Sequence, residues 1–301
     1  MEKLQISLAT QDLTEKRQEA LEKIKESGFF DDFIEKNEIS DLEIMKNASK
    51  FLRVLEANEI CKNCQGLTKC QKPNKGIRLD LTFDESGDLT LSLLPCLEQA
   101  KLLRINELFL YRDFSDEYIF YAIEDLISNA DFKAVRKNVI AHLVKVLKSL
   151  ETKGLYLTGT RQSGKTFILS IFSKTIAEKN NLKVAFLDCN TRIKELNDLY
   201  FIDKNEFNDR LLELMNVDLL VLDDFGNEYK NEIIRDMIVF PLLNERMKKS
   251  LLTCFTSSYS LSDVMQMYAL RENPSPKAQQ LKEIISLMTK QIKLDSLPYR
   301  E

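Results

Sequence analysis

The stretch that most constrains this chain is Gly159-Thr160-Arg161-Gln162-Ser163-Gly164-Lys165-Thr166, which fits the pattern G-x-x-x-x-G-K-[ST] without a mismatch. Each residue type in it has a physical reason. Gly159 and Gly164 let the backbone turn tightly enough for successive N–H groups to converge on phosphate oxygens, where a Cβ would obstruct them. Lys165 brings a mobile positive charge to the β and γ phosphates, and the Thr166 hydroxyl can ligate Mg²⁺. The flanks agree. Leu155-Tyr156-Leu157 reads as a short buried strand, and Phe167, Ile168, Leu169, Ile171, Phe172 and Ile176 follow at helical spacing, so a helix N-terminus faces the anion. A chance match in a glycine turn is the competing reading. The chain has only eight glycines in 301 residues, and two at this spacing, followed by Lys-Thr between a strand and a helix, predict nucleotide binding at residues 159–166.

A second stretch supports it. Val217-Asp218-Leu219-Leu220-Val221-Leu222-Asp223-Asp224 is a continuous apolar run ending in two carboxylates, the pattern of a buried parallel strand. Asp223 is expected to hold Mg²⁺ through water, and Asp224 to polarise the attacking water. From residue 131 to the end the chain alternates: helix 131–150, strand 154–158, helix 165–178, strand 184–189, helices 191–200 and 204–215, strand 218–223, helix 230–248, strand 251–256, helices 261–268 and 276–288, strand 290–294. Such alternation predicts an α/β fold with a parallel sheet covered by helices on both faces and a ligand at the carboxyl ends of its strands. Thr256-Ser257-Ser258 falls at one such end.

The N-terminal part reads differently. Residues 11–60 carry helical stripes: Leu13, Arg17, Ala20, Leu21 and Ile24, then Phe29, Phe30, Phe33 and Ile34, then Leu42, Met45, Phe51, Leu52 and Leu55. Ile77, Leu79, Leu81 and Phe83 alternate with polar residues, Glu85 to Asp88 turns the chain, and Leu89, Leu91 and Leu93 alternate again, so a β-hairpin is expected. Around it lie Cys61, Cys64, Cys70 and Cys96. Four thiolates brought together by the hairpin would close a structural Zn²⁺ site, and buried free thiols are the alternative. Cys189 and Cys254 sit in apolar runs of the other domain and read as core. His142 shares a helical stripe with Val139, Leu143, Val146 and Leu147, and reads as packed rather than ligating. The domain reading is 1–105, a connector at 106–130 with a helix start at Ser115, and 131–301.

Composition excludes some classes. A net charge of −4 advertises no general nucleic-acid surface, so any DNA contact must be local and weak. No apolar run approaches the roughly 18 residues of a membrane span, and Met1-Glu2-Lys3-Leu4-Gln5 has no signal-peptide layout, which predicts a cytoplasmic protein without membrane contact.

The strand at 219–226 (Leu-Leu-Val-Leu-Asp-Asp-Phe-Gly), the P-loop, the helix with Arg235-Asp236 and Glu245-Arg246-Met247, and Thr253-Cys-Phe-Thr-Ser-Ser258 together resemble the AAA+ core of bacterial replicative helicase loaders of the DnaC/DnaI/IstB group. The helices, cysteines and hairpin ahead of it look like the zinc-containing helicase-interaction domain of the DnaI branch. The resemblance implies an ATPase that uses ATP and Mg²⁺, binds the hexameric replicative helicase through its N-terminal domain, and helps place that ring on single-stranded DNA in primosome assembly, with self-association through the ATPase domain. Two departures bear on rate. Ser258 stands where the family usually has Asn, and the 276–288 segment has no arginine where the family supplies one to a neighbouring subunit's ATP. Lys282 there lacks the planar fork of guanidinium, so hydrolysis is expected to be slow; Arg246, Arg271 and Arg300 are the candidate phosphate contacts. Competing expectations are a non-hydrolysing ATP-binding adaptor and an IstB-like transposition helper. The low charge speaks against the helper, because wrapping duplex DNA calls for a basic surface.

Overall fold

Burial of the apolar stripes, not local propensity, decides the layout of the computed structural model, which describes residues 15–128, 130–149, 153–270 and 275–294. The chain divides into two compact units, Met1–Leu102 and Leu103–Glu301.

In the first unit, helix α1 covers 15–26 and is followed by α2 (Asp31–Lys36), α3 (Asp41–Lys46) and α4 (Ala48–Asn58). Ser40 starts α3 with a capping box, its hydroxyl accepting from Glu43 N–H while the Glu43 carboxylate accepts from Ser40 N–H. Strands β1 (Ile77–Phe83) and β2 (Leu89–Pro95) form the expected antiparallel hairpin, with Ile77 opposite Pro95 and Phe83 opposite Leu89. Its turn is held by Asp84, whose carboxylate accepts from the N–H groups of Ser86 and Asp88 at 2.9 Å each. Leu21, Ile24, Phe30, Ile44, Phe51, Val54, Leu81 and Leu89 are buried together, and Asn58 Nδ2 ties α4 to the hairpin by donating to Leu79 O at 2.7 Å. Two stripe positions depart from expectation. Leu42 is 74% exposed because α3 is only six residues long and turns one narrow face, that of Ile44, inward; Arg17 is exposed. Leu13 lies outside the described residues.

In the second unit the described residues include a six-stranded parallel sheet of order β3-β5-β6-β7-β4-β8, made of β3 (Phe109–Arg112), β4 (Gly154–Gly159), β5 (Val184–Asp188), β6 (Leu219–Asp223), β7 (Leu252–Ser257) and β8 (Thr289–Leu294). Alternate residues of each strand enter opposite cores. Leu155 and Leu157 pack with Leu126 of α6 (Asp125–Ser128), with α7 (Ala130–Ser149) and with α8 (Lys165–Asn180). Tyr156, Leu220, Leu222 and Phe255 pack with α9 (Cys189–Ile202), α10 (Lys204–Asn216), α11 (Phe240–Lys248), α12 (Leu261–Tyr268) and α13 (Pro276–Met288). The α/β fold expected from the alternation is therefore present, and both faces of the sheet are covered.

Three local readings are corrected. The stretch read as a connector carries α5 (Leu97–Leu108) and then β3, which extends the sheet as an edge strand beside β5; four apolar-rich residues satisfy their backbone better in a ladder than in water. Ser115 precedes a 3₁₀ turn, Asp116–Phe120, and makes no side-chain cap. The helix expected at 230–248 carries a π segment at Ile234–Val239, where Arg235 is buried and its Nε donates to Asp236 at 2.8 Å. Cys189 and Cys254 are fully buried core thiols as read, and burial pushes both of their pKa values up. His142 is packed, its Nε2 within 3.0 Å of Lys153 O at the foot of β4.

Candidate nucleotide-binding site

The loop from Gly159 to Thr166 leaves the carboxyl end of β4 and enters α8, so the free N–H groups of the first helical turn face the loop's interior. Two glycines make that path available. A Cβ on Gly159 would stand 2.4 Å from Leu294 O of β8, and Gly164 adopts φ +87°, a left-handed conformation that side chains disfavour. Gln162 also has positive φ, 62°, at the tip of the turn, where it is exposed together with Thr160 and Arg161; Ser163 is 1% exposed. Lys165 is 8% exposed, and its Nζ folds onto the loop, donating to Gly159 O at 3.0 Å and Thr160 O at 2.8 Å. Burial lowers its pKa, an effect opposed by the charges of Asp224 and Asp223.

The sheet brings the second set of residues to the same edge. Adjacent carboxyl ends of β6 and β7 put Asp223 and Thr256 beside Thr166. Thr166 Oγ1 donates to the Asp223 carboxylate at 3.0 Å, and Thr256 Oγ1 donates to Asp223 Oδ1 at 2.5 Å. Asp223 is 7% exposed; burial raises its pKa to about 6, partly offset by those two hydroxyl bonds. Asp224 follows with φ 55°, and its N–H donates to Thr256 Oγ1 at 2.9 Å. Thr256 therefore fixes the Asp223 carboxylate and the Asp224 backbone, a role the sequence alone did not assign to it among Thr256, Ser257 and Ser258. Ser258 stands just past β7 with a buried hydroxyl that has no partner among the described residues.

The residues present fit a Mg²⁺–nucleotide. The glycine cradle excludes side chains, Thr166 and Asp223 are a hydroxyl and a carboxylate already in contact, and hard oxygen donors of this kind suit Mg²⁺.

Beyond the loop, Glu228 is 3% exposed and secures the segment after β6, accepting from Gly226 N–H at 2.7 Å and from Tyr268 O–H at 2.6 Å. Neither residue was singled out from sequence, because an acid five positions past the strand has no pattern of its own. Arg136 was missed too, although a signal existed: it falls three and four positions before the core residues Val139 and Ile140, on the apolar side of α7. It is 5% exposed.

The arginine candidates resolve differently. Arg246 is not a phosphate contact. It is fully buried, with its guanidinium donating to Thr253 Oγ1, Leu214 O, Val217 O and Leu252 O at 2.7–2.9 Å, at the amino ends of β6 and β7 and so away from the loop. Arg271 and Arg300 lie outside the described residues. Helix α13 has no arginine; Lys282 on it is half-buried.

The cysteines of the first unit are not assembled. Cys64 and Cys70 each follow a single 3₁₀ turn with nearly the same backbone angles, φ −63° with ψ 122° and 124°. Cys96 N–H donates to Gly76 O at 2.7 Å, and the N–H groups of Gly76 and Lys72 lower the Cys70 pKa, so these two segments meet at Gly76. Cys61, Cys64, Cys70 and Cys96 are nonetheless free thiols, Cys64 exposed, and among the described residues no three metal-ligating side chains are grouped to hold an ion. The expected closed four-thiolate site is thus not formed in this structure. The physical reason is that short 3₁₀ turns carry three of the thiols, and such turns alone do not fix sulfurs at the ~2.3 Å spacing from a common centre that zinc demands. Among the described residues no helix is long and apolar enough to cross a membrane.

No family model matches the chain. The replicative helicase loader DnaI of Bacillus subtilis (strain 168) is 28% identical over 303 residues, covering 92% of each chain. Among solved structures, a crystal structure of DnaI aligns with TM-score 0.55 and 24% identity over 62% of this chain and 98% of its own. A putative primosome component from Streptococcus pyogenes serotype M3 aligns with TM-score 0.52 and 24% identity over 67% and 100%, and the DnaC helicase loader with 0.50 and 21% over 60% and 99%. These three show a shared fold over 60–67% of this chain. With that fold in common, the chain is similar in sequence to the replicative helicase loader DnaI over 92% of both chains, as its motifs suggested.

Proposed function

We propose that this chain is an ATP-dependent loader that places the hexameric replicative helicase on single-stranded DNA during primosome assembly, in the cytoplasm. The observation that carries the reading is the convergence of Lys165, Thr166, Asp223 and Thr256 at adjacent strand ends, in a chain similar to DnaI along nearly its full length. The backbone of 159–166 and Lys165 would hold the phosphates of ATP. Thr166 and Asp223 would hold Mg²⁺, which neutralises charge on the β and γ phosphates. Asp224 would orient a water whose oxygen attacks the γ-phosphorus as the bond to the β-phosphate oxygen breaks, releasing ADP and phosphate. With Ser258 in place of a longer amide and no arginine on α13, this step is slow, and bound ATP serves chiefly as an assembly signal that includes self-association through the ATPase unit.

The N-terminal unit, read as residues 1–105, would grip the helicase, and contact with single-stranded DNA would be local. We further propose that Cys61, Cys64, Cys70 and Cys96 bind Zn²⁺ once the turns at 59–70 close on Gly76. Support comes from the four free thiols and from the meeting of the Cys70 and Cys96 segments at that residue. Metal analysis of the purified chain tests this: one zinc per chain is expected, and a zinc-free folded protein removes it.

Loading is tested with purified helicase hexamer and circular single-stranded DNA. ATP should increase helicase retained on the circle in the presence of the wild-type chain and not with Lys165→Ala, while both chains capture the helicase. Absence of any helicase capture sinks the reading. A second reading, an adaptor that binds ATP without hydrolysing it, is favoured by the missing arginine on α13; turnover at background level with loading intact selects it.

A further inference from the structure

The apolar stripe of α7 ends in a charge. Val139, Ile140, Leu143 and Val146 bury this helix against the sheet, and one turn earlier on the same side stands Arg136, itself 5% exposed. Its guanidinium reaches the P-loop: a Cβ built on Gly164 would lie 2.9 Å from Arg136 Nη2 and 3.7 Å from Cζ. Two buried cations, Arg136 and Lys165, together with the positive end of α8, therefore surround one short loop. Asp223 and Asp224 oppose the cost of burying Lys165, and a buried guanidinium beside the first turn of a helix suits an anion held on that loop. A solvent-seeking arginine would have left the stripe, and a purely packing residue at this position would be apolar like its neighbours.

From this geometry we propose that Arg136 contacts the phosphate tail of the bound nucleoside triphosphate from within the same chain, presenting its planar fork beside Gly164. The inference rests on the nucleotide-binding reading of residues 159–166 and deepens it. The contact assigns a guanidinium to a site whose α13 side has none. It is a binding contact on the α7 side of the loop, and planar guanidinium suits phosphate oxygens in a way that an ammonium does not.

The test uses the full chain and the variants Arg136→Met, Arg136→Lys and Lys165→Ala. Displacement of a fluorescent ATP analogue by ATP and by inorganic tripolyphosphate is measured beside the melting temperature of the nucleotide-free protein. Arg136→Met is expected to weaken ATP and tripolyphosphate alike by about 10- to 100-fold, the loss typical of a hydrogen bond to a charged group. Arg136→Lys should recover only part of it. A folded Arg136→Met or Arg136→Lys chain with wild-type affinity overturns the proposal, as does a loss confined to ATP with tripolyphosphate unaffected. If Arg136→Met fails to fold, Arg136→Lys decides. Wild-type affinity in the Arg136 variants alongside loss in Lys165→Ala removes only this inference, whereas a wild-type chain that binds no ATP removes the nucleotide-binding reading itself.

Discussion

The P-loop and the cysteine segment are both short motifs with a clear chemistry, yet the structure completes one and not the other. Residues 159–166 hang between β4 and α8, and their partners sit at the ends of neighbouring parallel strands whose register is locked, Leu222 opposite Phe255 and Asp188 opposite Asp223. The sheet places Thr166, Asp223 and Thr256 within hydrogen-bond reach without help from a ligand. Cys61, Cys64 and Cys70 instead ride on turns between α4 and β1, and only Cys96 is delivered by a strand. A motif embedded in a ladder inherits its geometry from packing, and one spread over turns needs its ligand to supply part of it.

The sharpest way to break this contrast is Lys165→Ala, which should reduce ATP affinity by more than about 100-fold, since it removes the charge facing the phosphates. Isothermal titration checks it, and helicase capture should be untouched. Gly164→Ala comes next. Placing a side chain at φ +87° costs about 1–3 kcal/mol, and the new methyl presses on Arg136, so both the melting temperature and ATP affinity should fall. In the first unit, Leu81→Ala removes a side chain that is 2% exposed and should destabilise that unit by about 2–5 kcal/mol in urea titration, with nucleotide affinity unchanged. Treatment with a strong zinc chelator should have the same locality, loosening 61–96 in hydrogen exchange while the P-loop stays protected.

Smaller effects sharpen the site. Thr256→Val leaves the buried Asp223 carboxylate and the Asp224 N–H each short of a partner, at about 1–3 kcal/mol, and should slow turnover more than it weakens ATP binding; Thr256→Ser should restore both. The Asp223 carboxyl gives a pH signature. Its pKa is about 6 in the folded chain against an ordinary 3.8, so the folded state binds the proton more tightly than the unfolded state does. The stabilising effect of this group is complete below about pH 4 and is lost as pH rises to about 6. Asp223→Asn should flatten that slope in nucleotide-free melts. Mg²⁺-dependent ATP affinity should move the other way, rising from pH 5 to 7 as the proton leaves.

Much of the second unit was legible because buried parallel strands read as unbroken apolar runs and helices as 3.6-residue stripes, as at 219–223 and 165–180. Less legible were features set by neighbours distant in the chain. The edge strand at Phe109–Arg112 exists because β5 offers it a ladder. Arg246 looked available until the amino ends of β6 and β7 surrounded it with carbonyls. Arg136 belongs to no motif, and only the packing of α7 beside the loop brings its guanidinium to Gly164.

The sequence by itself determined a parallel α/β sheet with a glycine-framed backbone cradle at residues 159–166, because spacing and residue type alone dictate such a loop between a strand and a helix. Only the tertiary structure decided which polar groups meet there. Thr256, Asp223 and Arg136 lie far from Lys165 along the chain, and burial of two apolar cores against one sheet, a cooperative outcome that no local window contains, is what carries them to it.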